Sequence, residues 1–384
     1  MSMLDDLSVR RIVNADGMKT GLGGTLMRQR TLDAMREGAT AFVDMWELQA
    51  AVSQRIATLT RNEAALVCTG AAGGMFLSAL ACLTGADERA ITRLVQRGPE
   101  SLKRREVIVQ AAQRNPFLPA LTLAGARLIE IGNVLQTLPA DLEAAIGEET
   151  AAVFHFPGRH LEAGALDLET VIEIAHGHDV PVVVDAAAQL PPRENLWRFT
   201  QSGADLVIFS GGKELRGPQT TGLIVGRRSL VEACAMHAAP NQHFARAMKV
   251  GKEEMLGLLA AVQDYLELDE SAERARCEAI VAGWVSRLNV PGTLTVARDF
   301  PGTDGRPLPR ALVTVGPDLG LSGEEVRQAL MRADPPVAVR VAGPNAIYLN
   351  PEVLEPGQEE VVERAVASVL GRVPAPQGSG TGAR

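Results

Sequence analysis

The chain has 384 residues, of which 46% are hydrophobic and 22% charged, and its formal net charge is −8. That length can fill one large and one small domain around sizeable cores, and the acidic balance without a Lys- or Arg-rich block excludes a nucleic-acid-binding surface. Cys68, Cys82, Cys234 and Cys277 are dispersed with no CxxC pair, which excludes a disulfide frame or zinc site and reads as reduced thiols of a cytoplasmic protein.

In chain order, no signal peptide is expected, because Asp5, Asp6, Arg10 and Arg11 interrupt the start before any apolar run. Residues 1–45 read as an amino-terminal arm with the glycine-rich turn Gly21-Leu22-Gly23-Gly24-Thr25. Over 46–250, apolar runs alternate with helical patterns. Strands are predicted at 65–69, 106–110, 127–131, 151–156, 180–185, 206–210 and 222–225, and helices at 73–83, 139–146, 168–176 and 196–202. Strands that are apolar throughout and separated by helices imply an α/β domain whose mainly parallel sheet is covered on both faces. The apolar stretch 64–85 holds Gly70, Gly73 and Gly74, so it reads as strand, turn and buried helix, and no membrane segment is expected. Residues 251–373 read as a linking helix at 253–287 and a smaller α+β domain, with strands at 310–315, 337–341 and 346–350 and helices at 323–331 and 357–370. The stretch 374–384 is rich in Pro, Gly and Ser and is predicted to be disordered.

The chemistry concentrates where predicted strands end. Ser210-Gly211-Gly212-Lys213 follows the apolar run 204–209, so a small-residue turn presents a lysine at the carboxyl edge of the sheet, where open α/β sheets place ligands. Lysine is costly to bury, so Lys213 is either a structural ion pair or an amine held for covalent work. Val182-Val183-Val184 delivers Asp185 at a second strand end; taken alone, that aspartate fits a helix cap. Together the two residues fit pyridoxal phosphate, which needs a lysine for its aldehyde and a carboxylate for its ring nitrogen.

Thr69-Gly70-Ala71-Ala72-Gly73-Gly74 leaves a strand and opens a helix, a place where backbone amides can receive a phosphate or simply pack tightly. Ser210 can donate to the same phosphate or close a local turn. His155 lies at a strand end and is a candidate substrate or ring contact. Arg246 can hold a substrate anion or sit on the surface. His176 and His178 read as helix-end residues, and no spacing fits a metal cluster, a Walker loop or a catalytic triad.

These motifs, from Val184-Asp185-Ala186-Ala187-Ala188-Gln189-Leu190-Pro191-Pro192 through Ser210-Gly211-Gly212-Lys213 and Gly217-Pro218-Gln219, resemble the selenocysteine-synthase-like pyridoxal phosphate enzymes. The likeness is greatest to their D-glucosaminate-6-phosphate ammonia-lyase branch. It extends to Asn14-Ala15-Asp16-Gly17, Leu22-Gly23-Gly24, Thr69-Gly70-Ala71-Ala72 and Met248-Lys249-Val250-Gly251-Lys252-Glu253-Glu254. The resemblance implies an aspartate-aminotransferase-like fold, pyridoxal phosphate enzyme fold type I, in a homodimer or larger homo-oligomer. It implies Lys213 as the cofactor-bearing lysine and Asp185 as the ring-nitrogen partner, with Thr69, Gly70, Ala71, Ala72, Ser210, Gln113 and Gln189 completing the cofactor pocket. Gln113 stands where that branch is expected to carry a histidine. The selenium transferases carry an extra amino-terminal domain and a basic surface for tRNA, and this acidic chain is not expected to bind tRNA.

The resemblance implies a lyase that removes water and ammonia from a β-hydroxy amino acid or amino sugar acid to give a 2-keto acid. An amino-acid racemase or epimerase needs the same cofactor and the same deprotonation, and a selenium or sulfur transferase remains an outlying alternative. A non-catalytic scaffold is disfavoured by the presence of both Lys213 and Asp185.

Overall fold

The computed structural model describes residues 2–302 and 304–371, so the tail expected at 374–384 lies outside the described residues. The chain divides into two compact units. One comprises Gly23–Leu268 with 304–306; the other comprises the described residues before Gly23, Asp269–Gly302 and the described residues from Pro307 onward.

The larger unit is built on seven strands: β1 (Ala64–Thr69), β2 (Glu106–Gln110), β3 (Arg127–Ile131), β4 (Thr150–His155), β5 (Val182–Asp185), β6 (Leu206–Ser210) and β7 (Thr221–Gly226). Their order across the sheet is β3-β2-β4-β5-β6-β7-β1. β7 runs antiparallel to both neighbours, and the pairs among β3, β2, β4, β5 and β6 are all parallel. The Val- and Ile-rich strands are buried on both faces, as a mainly parallel sheet requires. Val153, Val182, Val184, Val207 and Phe209 line one core, while Phe154, Val183, Leu206 and Ile208 line the other. Predicted 180–185 starts instead at Val182, because the Val182 N–H is taken by the buried Asp205 carboxylate rather than by a strand partner. The apolar stretch 64–85 folds as β1 followed by a helix, and no helix among the described residues is long and apolar enough to cross a membrane.

Three helices bear on the sheet edge: α1 (Gln29–Ala39), α2 (Gly70–Thr84) and α3 (Lys252–Glu267). α1 lies within the segment read as an arm; its start carries no side-chain cap, so nothing local announces it. It packs on α3 through two glycines. A Cβ at Gly38 would sit 2.8 Å from Glu253 Cα, and one at Gly257 would sit 2.7 Å from Met35 Cγ. The predicted long helix 253–287 is two helices, because Asp269 accepts the N–H groups of Ser271 and Ala272 and caps a new start at Glu270.

In the smaller unit, Leu294–Asp299, Arg310–Val315, Ala346–Leu349 and Arg340–Gly343 form an antiparallel sheet around a core that includes the fully buried Trp284. Predicted 337–341 is split: Val337–Ala338 pairs in parallel with Val13–Asn14, while Arg340–Gly343 joins the larger sheet of this unit.

The glycine contact between α1 and α3 makes a definite prediction. Gly38→Ala places a methyl against the Glu253 backbone, and the larger unit should lose about 1–3 kcal/mol in a urea titration despite the better helix propensity of alanine.

Candidate active site

The carboxyl edge of the sheet assembles a site from three strand ends. Asp185 pairs with Ile208, two residues before Ser210 on β6, so Asp185 and Ser210 share one face of the sheet. That face is covered by α2, which comes so near that a Cβ at Gly74 would meet Ile208 Cγ2 at 2.6 Å. Ser210 pairs with Gly222 on β7, and Gly222 pairs with Cys68 on β1, so the start of α2 lies beside the end of β6. A Cβ at Gly222 would stand 2.3 Å from the Gly70 carbonyl, which is why glycine occupies 222. Gly70 itself turns the chain from strand to helix at φ +64°, a conformation glycine adopts without a steric penalty.

The first turn of α2 is open to an acceptor. Thr69 occupies the cap position but does not cap the helix; its Oγ1 donates instead to the Met248 carbonyl at 2.7 Å. No described side chain accepts from the first-turn amides of Gly70, Ala71 and Ala72, and the helix dipole there favours an anion. The Ser210 hydroxyl, half-buried next door, makes no hydrogen bond to any described residue. Amides, dipole and hydroxyl together fit a phosphate.

Asp185 and Lys213 supply the opposite charges. Burial pushes the Asp185 carboxyl above the ordinary carboxylate range, against the pull of the Ala187 N–H and the Lys213 charge. One carboxylate oxygen accepts the Ala187 N–H at 3.1 Å, and the other takes no hydrogen bond from a described residue. Such a group calls for a cationic partner, as a protonated ring nitrogen provides. Lys213 is half-buried in the turn after β6, which is closed by Gly217 N–H to Gly211 O and Arg216 N–H to Lys213 O, each 2.8 Å. The residues present therefore fit a phosphorylated aldehyde with a basic heteroaromatic ring.

The other candidates are distributed less simply. His155 pairs with Val184, the neighbour of Asp185, and so points to the opposite face of the sheet from Asp185. Alternation between Val184 and Asp185 along β5 thus puts His155, at the end of β4, on the face away from the one that α2 covers. Burial lowers its ring to about 4, leaving it neutral. Gln113 is fully buried against the end of β4, at His155 and Phe156. Its Oε1 accepts the Phe156 N–H at 3.0 Å, so its NH2 group is the one 3.4 Å from His155 Nδ1. His155 must then carry its proton on Nε2. The Gln189 amide donates to the carbonyls of Pro157 and Asp304, at 3.0 and 3.3 Å. Arg246 lies two residues before Met248, which Thr69 ties to the site, and its Nε is buried with no hydrogen-bond partner among the described residues. Burial also lifts the Cys68 thiol up to about 12, so this cysteine beside the site is no nucleophile.

Sequence reasoning missed Thr25. Its hydroxyl lies 2.9 Å from the Lys213 carbonyl and 3.2 Å from that of Gly212. The turn 21–25 was legible as a turn, but nothing local shows that it meets a segment 188 residues away.

The balance at Asp185 can be tested without turnover. A carboxyl whose folded pKa is raised loses native-state stability as pH rises from its unfolded value through its folded one. Asp185→Asn should therefore raise the melting temperature of cofactor-free protein at neutral pH while weakening pyridoxal phosphate binding in a spectrophotometric titration.

The chain is similar to known proteins in sequence and in fold. The family model for L-seryl-tRNA selenium transferase, SelA, matches residues 18–288. The chain is 33% identical over 384 residues to a 5'-C-glycyluridine monooxygenase-decarboxylase of a Streptomyces species, covering 97% of this chain and 93% of that one. It is 30% identical over 285 residues to the D-glucosaminate-6-phosphate ammonia lyase of Salmonella typhimurium, covering 73% of this chain and 74% of that one. A solved structure of D-glucosaminate-6-phosphate ammonia-lyase superposes with a TM-score of 0.83 at 27% identity, over 97% of this chain and 98% of that one. The fold is that of the fold type I pyridoxal phosphate enzymes. The chain belongs to the SelA family of pyridoxal 5'-phosphate-dependent enzymes.

Proposed function

We propose that the protein is a lyase that removes ammonia, by way of water loss, from an α-amino acid bearing a β-hydroxyl. The observation that carries this reading is Asp185 on the face that α2 covers, under the influence of the Lys213 charge and beside an uncapped helix start. Its support from relatives is chemical. D-glucosaminate is a 2-amino acid with a hydroxyl on the next carbon, and 5'-C-glycyluridine joins a glycyl Cα to a carbon that bears a hydroxyl.

Pyridoxal phosphate, when bound, supplies an electron sink for charge developing at Cα. Lys213 would hold the cofactor, and its free amine would take the Cα proton. Asp185 keeps the ring nitrogen charged. The amides of Gly70, Ala71 and Ala72 and the Ser210 hydroxyl hold the phosphate, and Arg246 receives an anionic group of the substrate. Loss of the β-hydroxyl as water and uptake of one water on release give a 2-keto acid and ammonia.

A racemase needs an acid on the face opposite Lys213. Gln113 does not titrate and His155 is held neutral, so neither favours that reading. A second reading, oxidative decarboxylation, is favoured by the 33% identity to a monooxygenase-decarboxylase over nearly the whole chain. The four cysteines form no disulfide, which fits a reducing compartment such as the cytoplasm.

The test is a screen of D- and L-β-hydroxy amino acids and amino sugar acids in deuterated water, with and without oxygen. A 2-keto acid and ammonia formed anaerobically support the lyase. Oxygen uptake with release of carbon dioxide overturns it in favour of decarboxylation, and deuterated substrate of inverted configuration overturns it in favour of racemisation. Lys213→Ala should lower turnover by roughly a thousandfold.

The same reading includes a homo-oligomer. Its support is an apolar surface in the larger unit, where Phe42 is fully exposed and Trp46 is 60% exposed. Sedimentation should give a dimer or larger species, and Phe42→Glu with Trp46→Glu should shift it toward monomer.

A further inference from the structure

The turn bearing Lys213 is held by the beginning of the larger unit as well as by its own hydrogen bonds. Thr25 Oγ1 lies within hydrogen-bonding distance of two successive carbonyls, Gly212 at 3.2 Å and Lys213 at 2.9 Å. The Lys213 carbonyl also accepts the Arg216 N–H at 2.8 Å, so both of its lone pairs are engaged. Gly24, at φ +76°, brings the chain so near that a Cβ there would stand 2.6 Å from the Gly212 carbonyl. On the other side of the turn, a Cβ at Gly212 would stand 2.4 Å from Gln219 Cα. Residues 212 and 213 are thus clasped between residues 24–25 and Gln219.

We propose that Thr25 is a positioning residue for Lys213: its hydroxyl fixes the main chain of the lysine and thereby the direction of the amine. This rests on the reading that Lys213 carries the cofactor. A half-buried lysine on a small-residue turn has four rotatable side-chain bonds, so a main chain free to rock would spread its amine over many positions. Geometry at a reacting centre is set by such supporting contacts, and small displacements cost rate. Both carbonyls that the Thr25 hydroxyl approaches belong to the lysine turn, so its loss acts on that turn.

The experiment compares Thr25→Val, which keeps the shape and removes the donor, with Thr25→Ser, which keeps the donor. Two readouts besides turnover are used: the rate of cofactor release on dialysis and the pH at which the visible absorption band titrates. Thr25→Val should release cofactor about three to ten times faster, the effect of one neutral hydrogen bond, and should move the titration midpoint. Thr25→Ser should restore both. If Thr25→Val does not fold, Thr25→Ala serves in the same comparison. Unchanged release and titration in the folded variant, or equal changes in the valine and serine variants, overturn the proposal. Borohydride reduction followed by peptide mapping is the separate control: cofactor trapped on a lysine other than Lys213 overturns the underlying assignment, whatever Thr25 does.

Discussion

A carboxylate that the chain buries without fully satisfying it governs the organisation of this edge of the sheet. Asp185 ends a central strand, receives one backbone N–H, and faces Lys213 as its nearby positive charge. A buried charge with half a hydrogen-bond complement is a standing cost to the fold. Without cofactor the lysine offsets part of that cost. A protonated ring nitrogen can take over the same role, and the amine is then released from electrostatic duty for covalent chemistry. A cofactor that brought such a cation would relieve part of the electrostatic cost that Asp185 carries.

The rest of the site follows from bringing backbone close to backbone. Gly222 against the Gly70 carbonyl, Gly212 against Gln219 and Gly24 against the Gly212 carbonyl are all approaches that a Cβ would block. Small residues here are not merely flexible. They let β7 press against the start of α2 and let the lysine turn nest between segments distant in sequence. An anion site made of amides needs this packing, because amides reach a phosphate only where no side chain intervenes.

These physical facts also explain what the sequence discloses. Strands 106–110 and 206–210 were legible to the residue because a strand buried on both faces is apolar along nearly all its length. Strand Leu294–Asp299 was not, since only Leu294 and Val296 point inward and the polar residues between them hide the pattern. Helix Gln29–Ala39 escaped for want of a cap, although the break at Asp269 carried a capping signal that a closer reading would have used. The placement of Lys213, Asp185, Ser210 and Thr69–Ala72 at one sheet edge was legible because each sits where an apolar strand stops. Thr25 and the orientation of His155 were not, because the first depends on a long-range contact and the second on which face a strand presents.

The orientation of His155 bears on the chemistry. Where the family resemblance leads one to expect an imidazole, the chain has Gln113, whose amide is oriented by the Phe156 N–H and donates toward His155. The imidazole sits one strand further across the sheet, on the face away from Asp185, and burial keeps it uncharged. An amide neither gives nor takes a proton near neutrality, and a ring that titrates near 4 is a poor acid there. Under the proposed function, proton transfer at Cα would fall to the Lys213 amine. One base suffices to remove the Cα proton before a β-hydroxyl departs, whereas inversion at Cα needs a second acid on the far side. Under the proposed function, a glutamine at 113 would leave elimination possible while not supplying the second acid that inversion requires.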